Sequence, residues 1–327
     1  MKLLKIYIYY CRNIDFELMF FRESREMEIK ERQNQLSAII YILFMGFGYP
    51  LIRYISTIFN TLNTNGIMFL SGGILFLIVS YIKFKDEFSK LKNNLWIFPK
   101  LILIALLTSG NMYCFIGGLS KTSALAGSIF GIMSMPFSVI MASIFYLDER
   151  EKVKELHFIL GGIIIIVGSF IFVLNGVNKS STAPDFLLGI FLLSGTVVIQ
   201  VLQSFVVKGV AKHINSMVVS SFSSIMTSFL FFTISVVTGK INEFFLASKE
   251  QIGLVAMVGI YAIFVGMVMT FFIIQRQGVV VLNILKLTVP AATAIIGYFF
   301  LGEEIGVYQG VGAILVLIGC IVALKRK

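Results

Sequence analysis

The stretch SMPFSVIMASIFYLDE, residues 134–149, has a counterpart in TVPAATAIIGYFFLGE, residues 288–303. Each copy carries a proline 13 residues before its final glutamate, and the copies lie 154 residues apart in a chain of 327. The segments that follow them each carry two glycines seven residues apart: Gly161 and Gly168, then Gly312 and Gly319. Similarity at about half the chain length predicts that one structural unit occurs twice.

The composition indicates which solvent surrounds the two units. Hydrophobic residues make up 57% of the chain and charged residues 13%, whereas soluble domains average about 45–50% and about 25%. So few charged side chains cannot cover the surface of a water-soluble protein of this size. A soluble enzyme, a nucleic-acid-binding protein and a disordered chain are therefore excluded, and we expect the chain to lie in a lipid bilayer.

Long apolar segments divide the chain into helices that cross the membrane, each of which needs about 20 residues. The sequence predicts ten of them, joined by short connections, at 37–59, 63–83, 96–119, 122–147, 156–175, 186–209, 214–237, 251–275, 278–301 and 305–324. The chain is thus predicted to be an all-α membrane protein with ten transmembrane helices.

The repeat determines how these ten helices are arranged. Each half holds five, so the second copy has to cross the membrane in the opposite sense from the first. Inverted repeats of this kind are typical of secondary transporters, whose substrate site lies near the middle of the bilayer between the halves. We expect two inverted five-helix repeats, 37–175 and 186–324, that give a small-molecule substrate alternating access to the two sides.

Residues 1–36 precede the first predicted helix and hold seven Lys or Arg and six Asp or Glu. They are interpreted as a cytoplasmic tail; alternatively, translation starts at Met27. With the N-terminus inside, 21 of the 27 lysines and arginines fall on the inner side, and without the tail the ratio of inner to outer positive charges is 14 to 4. Because positive charge is retained on the cytoplasmic side, we expect both termini there and a multi-pass protein of the plasma membrane.

Two long segments resemble a known family: GGLSKTSALAGSIFGIMSMPFSVIMASIFYLDE at 117–149 and VLNILKLTVPAATAIIGYFFLGEE at 281–304. Over about residues 37–324 the chain is similar to the EamA-type transporters of the drug/metabolite transporter superfamily. The resemblance implies a ten-helix bundle with a central cavity lined by inner helices of both halves, and a metabolite or drug as substrate. Many members carry an arginine in the second helix, where this chain has MFLSGGILFL at 68–77, so any role of that arginine does not transfer.

Two charged residues lie inside predicted helices and away from their ends, Arg53 and Lys286. Such residues usually face a cavity or a partner. Lys286 lies one helical turn before Pro290, whose missing N–H leaves the Lys286 carbonyl without its usual donor. Lys286 either anchors an anionic group of the substrate, a carboxylate or a phosphate, or it snorkels or stays buried without that role. For Arg53, snorkelling to the outer headgroups is the favoured interpretation.

Neutral polar residues mark helix faces that would line a cavity, because a buried amide needs a hydrogen-bonding partner. The candidate substrate-binding residues are Lys286, Asn283, Gln200, Gln203, Asn111 and Tyr113. Hydroxyl residues of the seventh helix mark either a cavity face or close helix packing; they are Ser220, Ser221, Ser223, Ser224, Thr227 and Ser228. The candidate hinges are the prolines inside helices, Pro50, Pro136 and Pro290.

Glu149 and Glu303 occupy matched positions in the two halves. Each is expected to cap the N-terminus of the helix that follows it, because a carboxylate is favourable there. Two GxxxG pairs, at 127–131 and 306–310, predict close helix packing, either within the chain or in a homodimer.

No cofactor and no metal site are expected, because the three cysteines lie far apart in sequence and only two histidines occur. Nucleotide-binding and catalytic-triad motifs are absent as well, which predicts transport without ATP and a protein that is not an enzyme. The predicted function is an exporter or exchanger of a small metabolite or drug, with an anionic or zwitterionic substrate favoured. The alternatives are a flippase or scramblase of lipid-linked substrates and a membrane scaffold without transport activity.

Overall fold

A computed structural model describes residues 32–88, 95–145, 154–179, 183–210 and 213–323. Most of the tail at 1–36, including Met27, and the predicted cap Glu149 lie outside the described residues. The long helices are α1 Arg32–Ile55, α2 Thr61–Lys83, α3 Phe98–Lys121, α4 Ala124–Phe145, α5 Leu156–Lys179, α6 Ala183–Val210, α7 Ser216–Val237, α8 Lys249–Ile263, α9 Thr270–Leu301 and α10 Val307–Ala323.

Length and composition show that these helices suit a bilayer. Within the described ranges, nine helical segments are at least 18 residues long and apolar enough to cross a membrane, when α8 is counted on to Gly266 in the helical segment that follows it. The tenth helix, α10, has 17 residues. Two short helical segments, Lys240–Asn242 and Glu243–Leu246, connect α7 to α8. The predicted all-α membrane protein with ten transmembrane helices is confirmed.

Contacts between helix ends show that the two halves are inverted. We call the face at which α1 begins the near face and the opposite one the far face. Arg53, at the far end of α1, donates from Nη1 to the carbonyl of Ser120 at the end of α3, over 3.1 Å. The adjacent Lys121 bonds Asp185 at the start of α6, over 2.6 Å. The second half therefore begins at the far face, whereas the first half begins at the near face.

The repeated glycines bring α5 and α10 together. A methyl group built on Gly168 would lie 2.9 Å from the Gly312 carbonyl oxygen, and one on Gly319 would lie 2.9 Å from that of Gly161. Two backbones can approach this closely only where side chains are absent. The same two glycines of each repeat thus form a reciprocal contact, as expected for halves related by an approximate two-fold axis.

A glycine separates α8 from the membrane-spanning part of α9. After α8, a π-helical segment Phe264–Met269 leads into α9, where Gly278 has non-helical angles, φ 88° and ψ 168°. Only glycine adopts such a conformation readily. By contrast, helical residues continue through the candidate hinges Pro50, Pro136 and Pro290, which membrane helices tolerate because neighbouring groups satisfy the freed carbonyls. The break in α9 therefore lies twelve residues before Pro290.

Candidate functional site

A cavity of about 620 Å³ lies between helices of both halves. Most of its wall is apolar and aromatic, including Phe44, Phe69 and Tyr261. Besides the tyrosines, the polar groups on the wall comprise four amides and four hydroxyls, from Asn65, Asn111, Gln200, Gln203, Thr108, Ser220, Ser223 and Ser224. Among the described residues that line this larger cavity, none carries a charge.

A smaller cavity of about 250 Å³ adjoins the larger one. Its wall includes Lys286 and Asn283 of α9 together with hydroxyl residues of α4 and α6, Ser128, Ser134 and Thr196. The two cavities share a set of six lining residues: Met45, Tyr49, Asn111, Met112, Phe115 and Gln200. These shared residues form the junction, so a ligand of sufficient length can contact both spaces.

Lys286 is the charged residue of the smaller cavity. Within the part of the chain that the structure describes, no carboxylate oxygen lies within 4.0 Å of its ammonium group. The hydroxyls of Ser128, Ser134 and Thr196 each donate to a carbonyl of their own helix, which leaves their lone pairs as acceptors. A cation at membrane depth without an acidic partner is suited to an anion that enters the cavity.

Asn111, Gln203 and Thr108 form a directional chain of hydrogen bonds at the junction. Asn111 donates to Gln203 Oε1 at 3.4 Å, Gln203 donates to Thr108 Oγ1 at 2.9 Å, and Thr108 donates to the Ile104 carbonyl at 2.7 Å. Thr108 Oγ1 also lies 3.3 Å from Ser223 Oγ, so the chain continues to the hydroxyls of α7. The remaining oxygen, Asn111 Oδ1, is buried and has no hydrogen-bond partner among the described residues.

The hydroxyl residues of α7 divide by helix face. Ser220, Ser223 and Ser224 line the larger cavity, whereas Thr227 donates to the Ala105 carbonyl of α3 and Ser228 donates to the Gly66 carbonyl of α2. Ser221 is fully buried and donates within its own helix. One face of α7 therefore lines the cavity, and its other faces pack closely against neighbouring helices.

Tyr113 is the candidate that the structure does not bring to the site. Its side chain is 46% exposed on the outside of the bundle, and it lines neither cavity. Residues two positions apart on a helix point in nearly opposite directions, so Tyr113 and Asn111 cannot face the same space. The other five candidates, Lys286, Asn283, Gln200, Gln203 and Asn111, all line one or both cavities.

Arg53 and Glu303 lie together at the far face instead of in a cavity. Arg53 Nε is 4.0 Å from Glu303 Oε1, and the two side chains are 23% and 18% exposed. The expected snorkelling of Arg53 to headgroups is replaced by the bond to Ser120 and this ion pair.

Glu303 caps a helix, but not the one expected from the sequence. Its two carboxylate oxygens accept from the backbone N–H of Ala124 at 3.0 and 3.1 Å, at the start of α4. The prediction of a cap on the following helix, α10, is corrected by this contact between the two halves. Burial raises the pKa of the Glu303 carboxyl, although the Ala124 N–H and Arg53 act in the opposite direction.

Tyr49, Asn65 and Tyr261 also line the larger cavity, although they are not among the substrate-binding residues predicted from the sequence. A methyl group on Gly131 would lie 2.6 Å from Tyr49 Oη, so the GxxxG pair at 127–131 packs within the chain against this tyrosine. Tyr49 precedes Pro50 in an apolar run, and nothing in that pattern separates it from a tyrosine that faces lipid. Asn65 could have been predicted to line a cavity, because a buried amide within a membrane helix needs a hydrogen-bonding partner.

The larger cavity extends from Asn65, one turn after the far end of α2, towards the near face. On α6 its lining residues are Gln200, Gln203 and Val207, near the end of the helix, and on α7 they begin at Val219, near its start. At the far face, polar contacts join the halves, since Glu243 Oε2 accepts from the Asn63 side chain at 2.9 Å. The structure thus has one end of the bundle closed by contacts between the repeats.

Comparison with known proteins identifies the family. The profile of the EamA-like transporter family matches residues 34–174 and 187–325. A protein of Haemophilus influenzae, named an uncharacterized transporter, is 44% identical over 296 residues, which is 88% of this chain and 96% of that protein. A protein of known crystal structure has the same fold, with a TM-score of 0.56 at 13% identity over 89% of this chain and 97% of its own. The chain is therefore a membrane transporter, not an enzyme, and belongs to the EamA-like transporter family.

Proposed function

We propose that this protein is a secondary active transporter that moves a small organic anion or zwitterion by alternating access. The observation that carries the proposal is Lys286, which lines a cavity between the two repeats without a described acidic partner. An ammonium group in a low-dielectric space attracts a carboxylate or phosphate strongly. The favoured mode of action is export or exchange of a metabolite or drug.

Alternating access is supported by the inverted halves. The far face is joined by contacts between the repeats, through Arg53 and Glu303 and through Asn63 and Glu243, while the larger cavity extends towards the near face. In inverted-repeat transporters, the two halves exchange conformations around a central site. The structure fits one of the two end states of such a cycle, with the near face as the side of access.

The orientation in the membrane is part of the proposal. Positive charges outside the helices are concentrated on the side where α1 begins, which favours a cytoplasmic near face. Both termini would then be cytoplasmic, in a multi-pass protein of the plasma membrane. The two functional units are the repeats at 37–175 and 186–324, and residues 1–36 form a cytoplasmic tail.

Counterflow in proteoliposomes tests the function. A thermal-shift screen with pooled metabolites first selects ligands, since binding to the folded state raises its apparent stability. Vesicles loaded with an unlabelled ligand should then take up the labelled compound in a saturable way, and Lys286→Gln should lower uptake of an anion at least about tenfold, as expected for loss of a charge-assisted contact.

Lys249→Gln provides the matched control, because Lys249 is an exposed lysine at the start of α8. Normal uptake of an anionic ligand by Lys286→Gln would contradict the proposed role of this lysine. Vesicles without flux of any selected ligand would favour a scaffold, and movement of labelled lipid would favour a flippase.

A further inference from the structure

The single tryptophan of the chain, Trp96, lies just before α3 at the near face, beside a lysine and a histidine. The Nζ atom of Lys100 is 4.5 Å from the centre of the indole ring. The imidazole of His213, from the turn between α6 and α7, packs against the same ring at an interplanar angle of 84°, with the centroids 5.0 Å apart. Trp96 is 48% exposed, and Lys100 and His213 are exposed as well. We call these three residues the tryptophan cluster.

Packing beneath the tryptophan cluster holds its two segments together. Each member is followed in the sequence by an apolar residue: Ile97, Leu101 and Ile214. These three residues are at most 2% exposed and belong to one buried group that joins the start of α3 to the turn before α7. Neighbouring residues of a helical segment do not face the same way, so burial of these three directs the side chains of the tryptophan cluster outwards.

The tryptophan cluster lies at the end of a membrane-spanning helix, where lipid headgroups meet the protein. Tryptophan is enriched at this boundary because its ring is apolar and its N–H is polar. The neighbouring sequence is basic, since residues 83–100 hold five lysines and two acidic residues, Asp86 and Glu87. Glu87 Oε2 already accepts from the backbone N–H of Asn215, over 3.2 Å. An anionic group is therefore favoured at this part of the near face.

The donors of the tryptophan cluster are available to a ligand. The face of an aromatic ring attracts a cation electrostatically, and it leaves N–H donors of the Lys100 ammonium group free. The indole and the imidazole each carry an N–H donor as well. Among the described residues, no carboxylate oxygen lies within 4.0 Å of the Lys100 ammonium group, and none accepts a hydrogen bond from the side chains of Trp96 or His213.

We propose that the tryptophan cluster binds the headgroup of an anionic phospholipid from the leaflet at the near face. The lipid phosphate contacts Lys100, and further headgroup or ester oxygens accept from Trp96 and His213. A zwitterionic lipid carries a positive amine beside its phosphate, which Lys100 repels, so the site prefers an anionic headgroup. The acyl chains then lie against apolar residues that α3 exposes further along its length: Ile102, Leu103 and Leu106.

Fluorescence of Trp96 tests the inference directly, because the chain has one tryptophan. The full-length protein is reconstituted in vesicles of dioleoylphosphatidylcholine that contain brominated phosphatidylglycerol or brominated phosphatidylcholine at the same mole fraction. Bromine quenches indole fluorescence at short range, so the lipid that occupies the site quenches more strongly. The relative affinity should favour phosphatidylglycerol about fivefold, as expected for one lysine beside an anionic headgroup. Equal quenching by the two lipids would overturn the inference.

Substitutions of lysine separate a site at Trp96 from general attraction to a basic surface. Lys100→Gln should abolish the preference for phosphatidylglycerol and leave quenching by brominated phosphatidylcholine unchanged. Lys100→Arg should retain the preference, because the charge and the ring contact are both kept. Lys83→Gln is the matched control, since it removes an exposed lysine of the near face at the end of α2. If Lys83→Gln lowers the preference as much as Lys100→Gln does, the tryptophan cluster is not a lipid site.

Inorganic phosphate distinguishes a lipid from a soluble ligand with the same chemistry. Added to the vesicles, it should reduce the preference no more than sodium chloride of equal ionic strength does, because both salts screen charges equally. A selective loss of the preference in phosphate would show that the cluster takes a free phosphate group, and the assignment of a lipid would be wrong.

Discussion

Arg53 Nε and Glu303 Oε1 lie 4.0 Å apart at the far face, where they join the end of α1 in the first repeat to the end of α9 in the second. Partly exposed ion pairs contribute little by themselves. The hydrogen bonds beside the pair add more, because Arg53 also bonds Ser120 of α3 and Glu303 also bonds Ala124 of α4. Four helices from both halves are thereby tied together at one face.

Removal of Glu303 should expose the cavity to the far face. Glu303→Ala deletes the cap on α4, a loss of about 1–2 kcal/mol, and leaves Arg53 without its acidic partner. In a background without the three native cysteines, Met112→Cys places a thiol at the junction of the cavities. A membrane-impermeant thiol reagent added at the far face should then label this cysteine about tenfold faster in Glu303→Ala than in its parent.

The neighbouring Glu304 supplies the control for the labelling experiment. It is an exposed carboxylate one residue further along the chain, so Glu304→Ala changes the net charge equally but removes no cap. Labelling in permeabilised vesicles normalises each rate for the reactivity of the thiol. Equal rates for Glu303→Ala and Glu304→Ala would show that the contacts of Glu303 do not close the far face.

The Glu303 carboxyl should make stability depend on pH. Its pKa is raised by burial, so the folded state binds the proton more tightly than the unfolded chain does. The resulting stabilisation is complete below the unfolded pKa, about 4.3 for glutamate, and is lost as the pH rises through the raised pKa. The melting temperature of the parent, relative to that of Glu303→Gln, should therefore fall between pH of about 4 and neutrality.

A second carboxylate variant separates the pH effect of Glu303 from a general effect of removing a negative charge. Glu304→Gln, which removes an exposed carboxylate beside Glu303, is the matched control. If the difference between the parent and Glu303→Gln stays constant, or increases as the pH rises, then the hydrogen bonds and Arg53 outweigh burial in the protein.

Adjacent glycines on α5 should respond in opposite ways to alanine. A methyl group on Gly161 would lie 2.5 Å from the backbone nitrogen of Ala323 in α10, whereas one on Gly162 would meet nothing within 4 Å. Gly161→Ala therefore forces the helices apart and should destabilise the protein by about 1–3 kcal/mol. Gly162→Ala should be neutral or slightly stabilising, since alanine favours a helix. Thermal unfolding in detergent measures both, and similar losses for the two variants would contradict the close contact of α5 with α10.

The sequence predicts the fold better than the candidate site. Helices follow from continuous apolar runs and their arrangement from the repeat, whereas the contacts at the site join residues that lie far apart in the sequence. The ten helices, their inversion and the position of Lys286 inside a membrane helix follow from hydrophobic runs and matched motifs. The cap by Glu303 joins residues 179 positions apart, and only the packed structure shows which helix start lies beside it. Tyr113 could have been excluded from helix geometry alone, since it lies two positions from Asn111.

Gly131 should control the shape of the junction through Tyr49. Tyr49 lines both cavities and its ring packs edge-on against Phe115, with centroids 5.9 Å apart. Because a methyl group on Gly131 would lie 2.6 Å from Tyr49 Oη, Gly131→Ala must displace the hydroxyl and shift the ring towards the junction. Affinity for the ligand that most stabilises the protein in the thermal-shift screen should fall several-fold, in line with the cost of overpacking.

A second substitution tests whether the clash with the hydroxyl is the cause. Tyr49→Phe removes the atom that the new methyl group would strike, so the double variant of Gly131→Ala with Tyr49→Phe should regain most of the lost affinity. Such a gain is an interaction between the two positions that independent effects cannot produce. Gly195→Ala is the control, because its methyl group would make an ordinary contact of 3.6 Å with Cys114. If the double variant binds as weakly as Gly131→Ala alone, Tyr49 does not transmit the effect, and the change at Gly131 acts through α4 itself.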